Sequence, residues 1–183
     1  MTSTDLMASL RREARDAPES GIVEVFNYGR AREGLVPLWV GEGDLPTPDF
    51  ISDAAVKSLR DGETFYTYQR GIPEMRAALA RYHARVYGRP FDAERFFVTG
   101  GGMQAIQIAA RMVAGTGDEV IVPTPAWPNF AAAIGVGGGR PVEVPMGFGN
   151  AGWTLDLDRL FAAVTPRTRA IFLNSPSNPT GWT

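Results

Sequence analysis

The sequence predicts an α/β fold: a mostly parallel sheet with helices on both faces, preceded by a helical N-terminal arm. Two observations carry that expectation. From residue 95 onward, short apolar runs rich in β-branched and aromatic residues alternate with helical stretches of about ten residues, the pattern of βα units. Those runs are apolar almost throughout rather than alternating, as strands covered on both faces are.

Taken in order, Leu6, Leu10 and Ala14 have helical spacing that Pro18 stops. Ile22, Val25, Phe26 and Gly29 suggest a second short helix. PLWVGEGDLPTPDF reads as a short apolar stretch running into a Gly/Pro-rich loop. Asp49 precedes a helix through Ala54, Ala55 and Leu59, closed by Asp61-Gly62. Ile72, Met75, Leu79, Tyr82 and Val86 line one face of a longer helix, with Pro73 where a first turn tolerates it. FFVTG then reads as a strand, GGMQAIQIAARMVA as a helix, DEVIVPTP as a strand and WPNFAAAIGVGG as a helix. RPVEVPM is a further strand, LDLDRLFAAV a helix capped near Asp156, and RAIFLN a last strand. The expected division is a helical arm, or part of a small domain, over residues 1–45, and the first part of an α/β domain over 46–183.

Composition narrows the function classes. A formal net charge of -2 gives no global attraction to nucleic acid or anionic membranes. The sequence has no cysteine and one histidine, His83, which argues against disulfides and zinc. The opening twenty residues are too polar for a signal peptide, and no apolar run is long enough for a bilayer. A cytoplasmic protein is expected.

Three segments follow predicted strand ends, where open α/β sheets bind ligands. In VTGGGMQAI, glycines open a helix whose N-terminal amides and dipole suit a phosphate. In PTPAWPNF, prolines stiffen a corner that aims the Trp127 indole toward the ligand side. In NSPSNPTG, Asn174 and Asn178 offer short amides to a ligand oxygen. Each has a plainer explanation alone: a tight turn, a core tryptophan, an Asn-Pro turn. Gly100, Gly102 and Ala105 also spell a dinucleotide fingerprint, but that reading needs an acid at the end of the next strand. Asp118 and Glu119 lie at its beginning. Converging on one crevice, the three segments suit a small phosphorylated aromatic ligand.

The segments LWVGEGDLPTPDF, FYTYQRGIPEMRAAL, FFVTGGGMQAI, GDEVIVPTPAWPNF and IFLNSPSNPTG resemble, in order and spacing, those of class I/II aminotransferases, the fold-type-I pyridoxal-phosphate enzymes. The resemblance runs from about residue 35 to 181. It implies pyridoxal 5'-phosphate as cofactor, amino acid and 2-oxo acid substrates, and a homodimer. It gives Gly102, Met103 and Gln104 to the cofactor phosphate, Trp127 to the pyridine ring, and Asn178 to the ring hydroxyl and the edge of the substrate carboxylate. Gly41 would face that carboxylate, and Tyr66 would reach the phosphate of the neighbouring subunit. The resemblance also implies cis bonds at Thr124–Pro125 and Asn178–Pro179, where the family turns its chain sharply and a cis X-Pro bond costs only about 0.5–1 kcal/mol. Gly43-Asp44-Leu45 departs from the family's Pro-Asp-Phe. The Schiff-base lysine, the acid for the pyridine nitrogen and the arginine for the substrate carboxylate lie, in the family, beyond NPTG. Lys57 is the only lysine of the sequence, on an early helix where a surface role is expected, as it is for the arginines of residues 76–85. The chain alone is therefore expected to be inactive. A lyase of the same fold, or a truncated non-catalytic product, remains the alternative.

Overall fold

A computed structural model describes residues 3–39 and 41–183, with side chains from residue 6 onward. It divides into two compact units, one of residues 1–39 and 102–183, the other of residues 40–101.

The first unit is built on a parallel sheet of three strands, β1 (Glu119–Thr124), β2 (Arg140–Pro145) and β5 (Thr168–Ile171), in the order β2-β1-β5. Glu119 pairs with Arg140 and Thr124 with Pro145, while on the other side Ile121 pairs with Ile171. The central strand β1 is buried on both faces. Val120 and Val122 pack with Ala110 and Ala114 of α6 (Gly102–Val113) and its following turn, and with Ala133 and Ile134 of α7 (Pro128–Val136). Ile121 points the other way, onto Val144 and onto Leu160 of α8 (Leu157–Ala162). Helices thus cover both faces, and each buried apolar side chain on β1 contributes about 1.5–3 kcal/mol. Asp156 caps α8 by accepting from the Arg159 amide at 3.0 Å. Between β2 and α8 lies a hairpin absent from the sequence reading, β3 (Gly147–Gly149) with β4 (Gly152–Thr154), closed by Phe148 against Trp153.

The N-terminal residues form α1 (Ser3–Ala8), α2 (Arg12–Arg15) and α3 (Gly21–Gly29). The single helix expected through Ala14 breaks at Ser9, whose hydroxyl donates to the Leu6 carbonyl at 2.7 Å and so competes with the helical ladder.

The second unit holds α4 (Asp49–Arg60) and α5 (Pro73–Tyr87). His83 sits half-buried among Tyr87, Phe91 and Phe96, its Nδ1 2.9 Å from the Leu79 carbonyl. The expected strand FFVTG is extended at Phe96 but joins no sheet. A strand needs a ladder, and here a backbone bond of that kind runs from the Val98 amide to the Arg70 carbonyl, 3.0 Å, without a sheet forming. Arginine holds the start of the segment and the turn before it. Arg76 donates to the carbonyls of Phe96 (3.1 Å) and Ala93 (2.9 Å) and to the Glu94 carboxylate (2.7 Å), while Arg70 donates to the same carboxylate at 2.6 Å. The Arg76 side chain is only 12% exposed, which corrects its expected place on a solvated face. Gly71, at φ +95°, lets the Val98 side chain approach where a Cβ would lie 2.5 Å from it.

Candidate functional site

The carboxyl edge of the sheet is where the sequence-derived residues of the first unit gather. From α6 a short turn, residues 114–118, returns the chain directly into β1. Twelve helical residues span about 18 Å and six strand residues about 20 Å, so the N-terminus of α6 lies level with the end of β1. Consistent with that, Met103 packs against the same cluster as Ala126 and Phe172, which follow β1 and β5. Gly102 opens the helix, exposed, and a Cβ there would meet nothing within 4 Å. Amides in the first turn of a helix have no intrahelical acceptor and carry the positive end of the dipole, and this turn contains no acidic residue to compete for it. Gln104 is exposed and Met103 half-buried.

Trp127 stands at the N-cap of α7, three residues past β1, after a cis Thr124–Pro125 bond. Its indole is half-buried and meets Phe130 edge-on at 5.5 Å, and Phe130 in turn packs on Phe172 at 4.3 Å. This aromatic chain ties the ends of β1 and β5 together and leaves part of the indole uncovered. Beyond β5, Asn178–Pro179 is also cis, as expected, and so is Ser175–Pro176, which the sequence reading did not single out. Asn178 is exposed, and its side-chain amide makes no hydrogen bond among the described residues. Asn174 differs: its Oδ1 accepts from the Asn178 backbone amide at 2.8 Å. A shallow crevice beneath this edge is lined by Phe130, Phe172, Asn174, Ser177 and Trp182.

The arrangement has limits. A larger cleft, about 920 Å³, runs along α7 and β2 under residues 12–19; Trp127 and Thr124 reach it, but Gly102 and Asn178 do not line it. Gly102, Trp127 and Asn178 share an edge of the sheet without sharing one described cavity. Being open to solvent at Gly102 and Asn178, that edge offers groups to a ligand rather than a closed chamber.

Charge is arranged at the opposite edge. Glu119, fully buried, accepts from Thr165 Oγ1 (2.7 Å), Arg140 Nη2 (2.6 Å) and Arg167 Nε (2.8 Å). These hydrogen bonds, Thr165 first, hold its carboxyl down to about 2. The backbone amide of Gly115 and the guanidinium of Arg169 lower Asp118 in the same way. Both acids are committed to arginines at the amino end of β1, so neither supplies the ribose contact of a dinucleotide site.

In the other unit, Gly41 is exposed in a loop and a Cβ there would meet nothing within 4 Å. Tyr66 is fully exposed, beside Phe65 and Tyr68 on the wall of a surface hollow. Lys57 pairs with Asp61 on the surface of α4. Among the described residues no cluster of His, Cys, Asp and Glu could hold a metal ion, and no helix is long and apolar enough to cross a membrane.

Comparison with known proteins gives the same picture a lineage. The profile of a family described as aminotransferase class I and II matches residues 34–183. The aspartate/prephenate aminotransferase of Thermus thermophilus is 41% identical over 179 residues, covering 96% of this chain and 46% of that protein. A probable aspartate aminotransferase of Streptomyces griseus is 44% identical over 148 residues, covering 80% of this chain and 68% of that protein. The crystal structure of aspartate aminotransferase from Thermotoga maritima superimposes with a TM-score of 0.85 at 31% identity, over 94% of this chain and 47% of that one. This chain thus spans less than half the length of the Thermus and Thermotoga proteins.

Proposed function

The chain belongs to the aminotransferase class I and II family, and from that premise we propose that it binds pyridoxal 5'-phosphate in an enzyme moving an amino group between an amino acid and a 2-oxo acid. The observation that carries the reading is the common edge: a glycine-opened helix N-terminus, a half-uncovered indole and an unbonded amide, each directly after a parallel strand or at the level of its end.

These residues fit the cofactor. Open space over Gly102 admits a phosphate against the backbone, and the dipole of α6 offsets its charge. Trp127 would stack on the heterocycle, whose electron-poor face suits an indole. Asn178 would donate its free amide to the ring hydroxyl oxygen and border the substrate carboxylate, toward which Gly41 would turn its backbone. Met103 and Gln104 complete the phosphate turn. Tyr66, its phenol wholly in solvent, would reach the phosphate site of a second subunit in a homodimer. When bound, pyridoxal phosphate supplies an electron sink for the carbanion formed at the substrate α-carbon. The part of this chain's residues is to hold and orient; Lys57, bound to Asp61 on α4, has no assigned share in the chemistry. On this reading residues 1–45 form an N-terminal arm and 46–183 the first part of the cofactor-binding domain. The names of the relatives support aspartate as the first amino donor to try.

Tryptophan fluorescence tests the proposal. Pyridoxal 5'-phosphate should quench the chain more strongly than pyridoxal, and Trp127→Phe should remove most of that difference. Binding of NAD with no response to pyridoxal phosphate would overturn the reading.

A further inference from the structure

The two asparagines of the NSPSNPTG loop are chemically alike, and both could donate to a ligand. Their surroundings separate them. Asn174 is half-buried in the crevice wall beside Phe172 and Trp182, and its Oδ1 accepts the Asn178 backbone amide at 2.8 Å. Asn178 is exposed and keeps its own side-chain amide unbonded among the described residues. The loop is closed from the other side by the Ser177 amide on the Trp182 carbonyl (2.8 Å) and the Gly181 amide on the Ser177 carbonyl (2.7 Å). Pro176 and Pro179 have no amide to give. Among the described residues, the side chain from before the turn that grips the backbone of Asn178 is therefore that of Asn174.

We infer that Asn174 is a positioning residue, whose side-chain oxygen fixes the backbone of Asn178 so that the Asn178 amide is presented to the ligand. This rests on the reading of Asn178 as a contact to pyridoxal phosphate. The role needs an acceptor at Oδ1 and nothing from Nδ2. An aspartate at this position keeps the acceptor, and an alanine removes it. A residue that donated directly to the ligand would fail with either.

The test is a set of four variants, Asn174→Ala, Asn174→Asp, Asn178→Ala and the double alanine, titrated with pyridoxal 5'-phosphate. In parallel, exchange of the Asn178 amide is followed by NMR in the ligand-free chain. Loss of one hydrogen bond sets the scale, roughly a five- to tenfold weakening for Asn174→Ala. Its Asn178 amide should exchange faster, while Asn174→Asp should stay within about twofold in affinity and keep the amide protected. Because Asn174 acts through Asn178, the double variant should bind no more weakly than Asn178→Ala. Further weakening in the double variant, or unprotected exchange in both Asn174 variants, would overturn the inference while leaving the cofactor reading in place. If Asn178→Ala alone binds like the parent chain, the assignment of Asn178 fails first and the positioning role falls with it.

Discussion

Replacing Arg76 by methionine tests how a strand without a sheet is held. Methionine keeps most of the aliphatic stem on α5 and removes the guanidinium, so packing changes little and hydrogen bonding changes much. Three bonds disappear, to the Phe96 carbonyl, the Ala93 carbonyl and the Glu94 carboxylate. Bonds to charged groups contribute about 1.5–3 kcal/mol each, but they share one side chain and are not additive. Glu94 is largely exposed and recovers water, and it keeps Arg70, which reduces its share of the loss. Ala93 and Phe96 are half-buried, so their carbonyls recover solvent only in part. The net cost should be about 2–3 kcal/mol. Urea unfolding of the parent and variant chains measures it, and amide exchange at Val98 localises it, since that amide bonds Arg70 at the mouth of the same clasp. Arg81→Met, on an exposed position of the same helix, serves as control and should change stability by no more than about 0.5 kcal/mol. Arg76→Met within about 0.5 kcal/mol of the parent, with Val98 exchange unchanged, would refute the claim that arginine stands in for the missing ladder.

Acid should weaken the sheet through Glu119. Its carboxyl lies near 2 when folded, against about 4.3 for an ordinary glutamate, so its stabilising contribution is complete above the ordinary value. That contribution drains away as pH falls toward about 2; Glu119→Gln should therefore be less stable than the parent at pH 7 and nearly equal to it at the bottom of this window, as urea midpoints would show, and a constant gap at all pH values would contradict the assignment. Reduction with borohydride in the presence of pyridoxal phosphate should leave Lys57 without stoichiometric label by mass spectrometry, and the 183-residue chain by itself should transfer no amino group from aspartate to a 2-oxo acid. Stoichiometric label at Lys57 accompanied by transfer would show that its pairing with Asp61 is no bar to chemistry.

What the sequence makes legible follows the range of the forces involved. The central strand is legible in its unbroken apolar run and α5 in the helical spacing of Met75 to Val86, while α6 and α7 stand within the stretches read as helices. Cis bonds at Thr124–Pro125 and Asn178–Pro179 stand where the resemblance implied them. FFVTG has the propensity of a strand, but propensity does not supply a neighbour, and the carbonyl of its first residue, Phe96, finds Arg76 instead, twenty residues earlier. Arg76 reads as solvated for the same reason: its acceptors are distant in sequence. The β3–β4 hairpin has strands of three residues, too short for any alternation to show. Asn174 and Asn178 cannot be told apart by composition; the 2.8 Å bond ties the Asn174 side chain to the loop, while the Asn178 side-chain amide stays unbonded among the described residues.

On the proposed function, Gly102, Trp127 and Asn178 meet one phosphorylated aromatic molecule at the carboxyl edge of the sheet. An NMR titration of the isotopically labelled chain with pyridoxal 5'-phosphate tests it most directly, following the amides of Gly102, Met103 and Asn178 and the indole N–H of Trp127. All of them should shift along one saturating curve, and pyridoxal without phosphate should move Trp127 and Asn178 but hardly Gly102 and Met103. Shifts confined to Trp127 and the lining of the α7 cleft, such as Arg12 and Arg140, with Gly102 and Asn178 silent, would place the ligand in that cleft and rule out the shared edge.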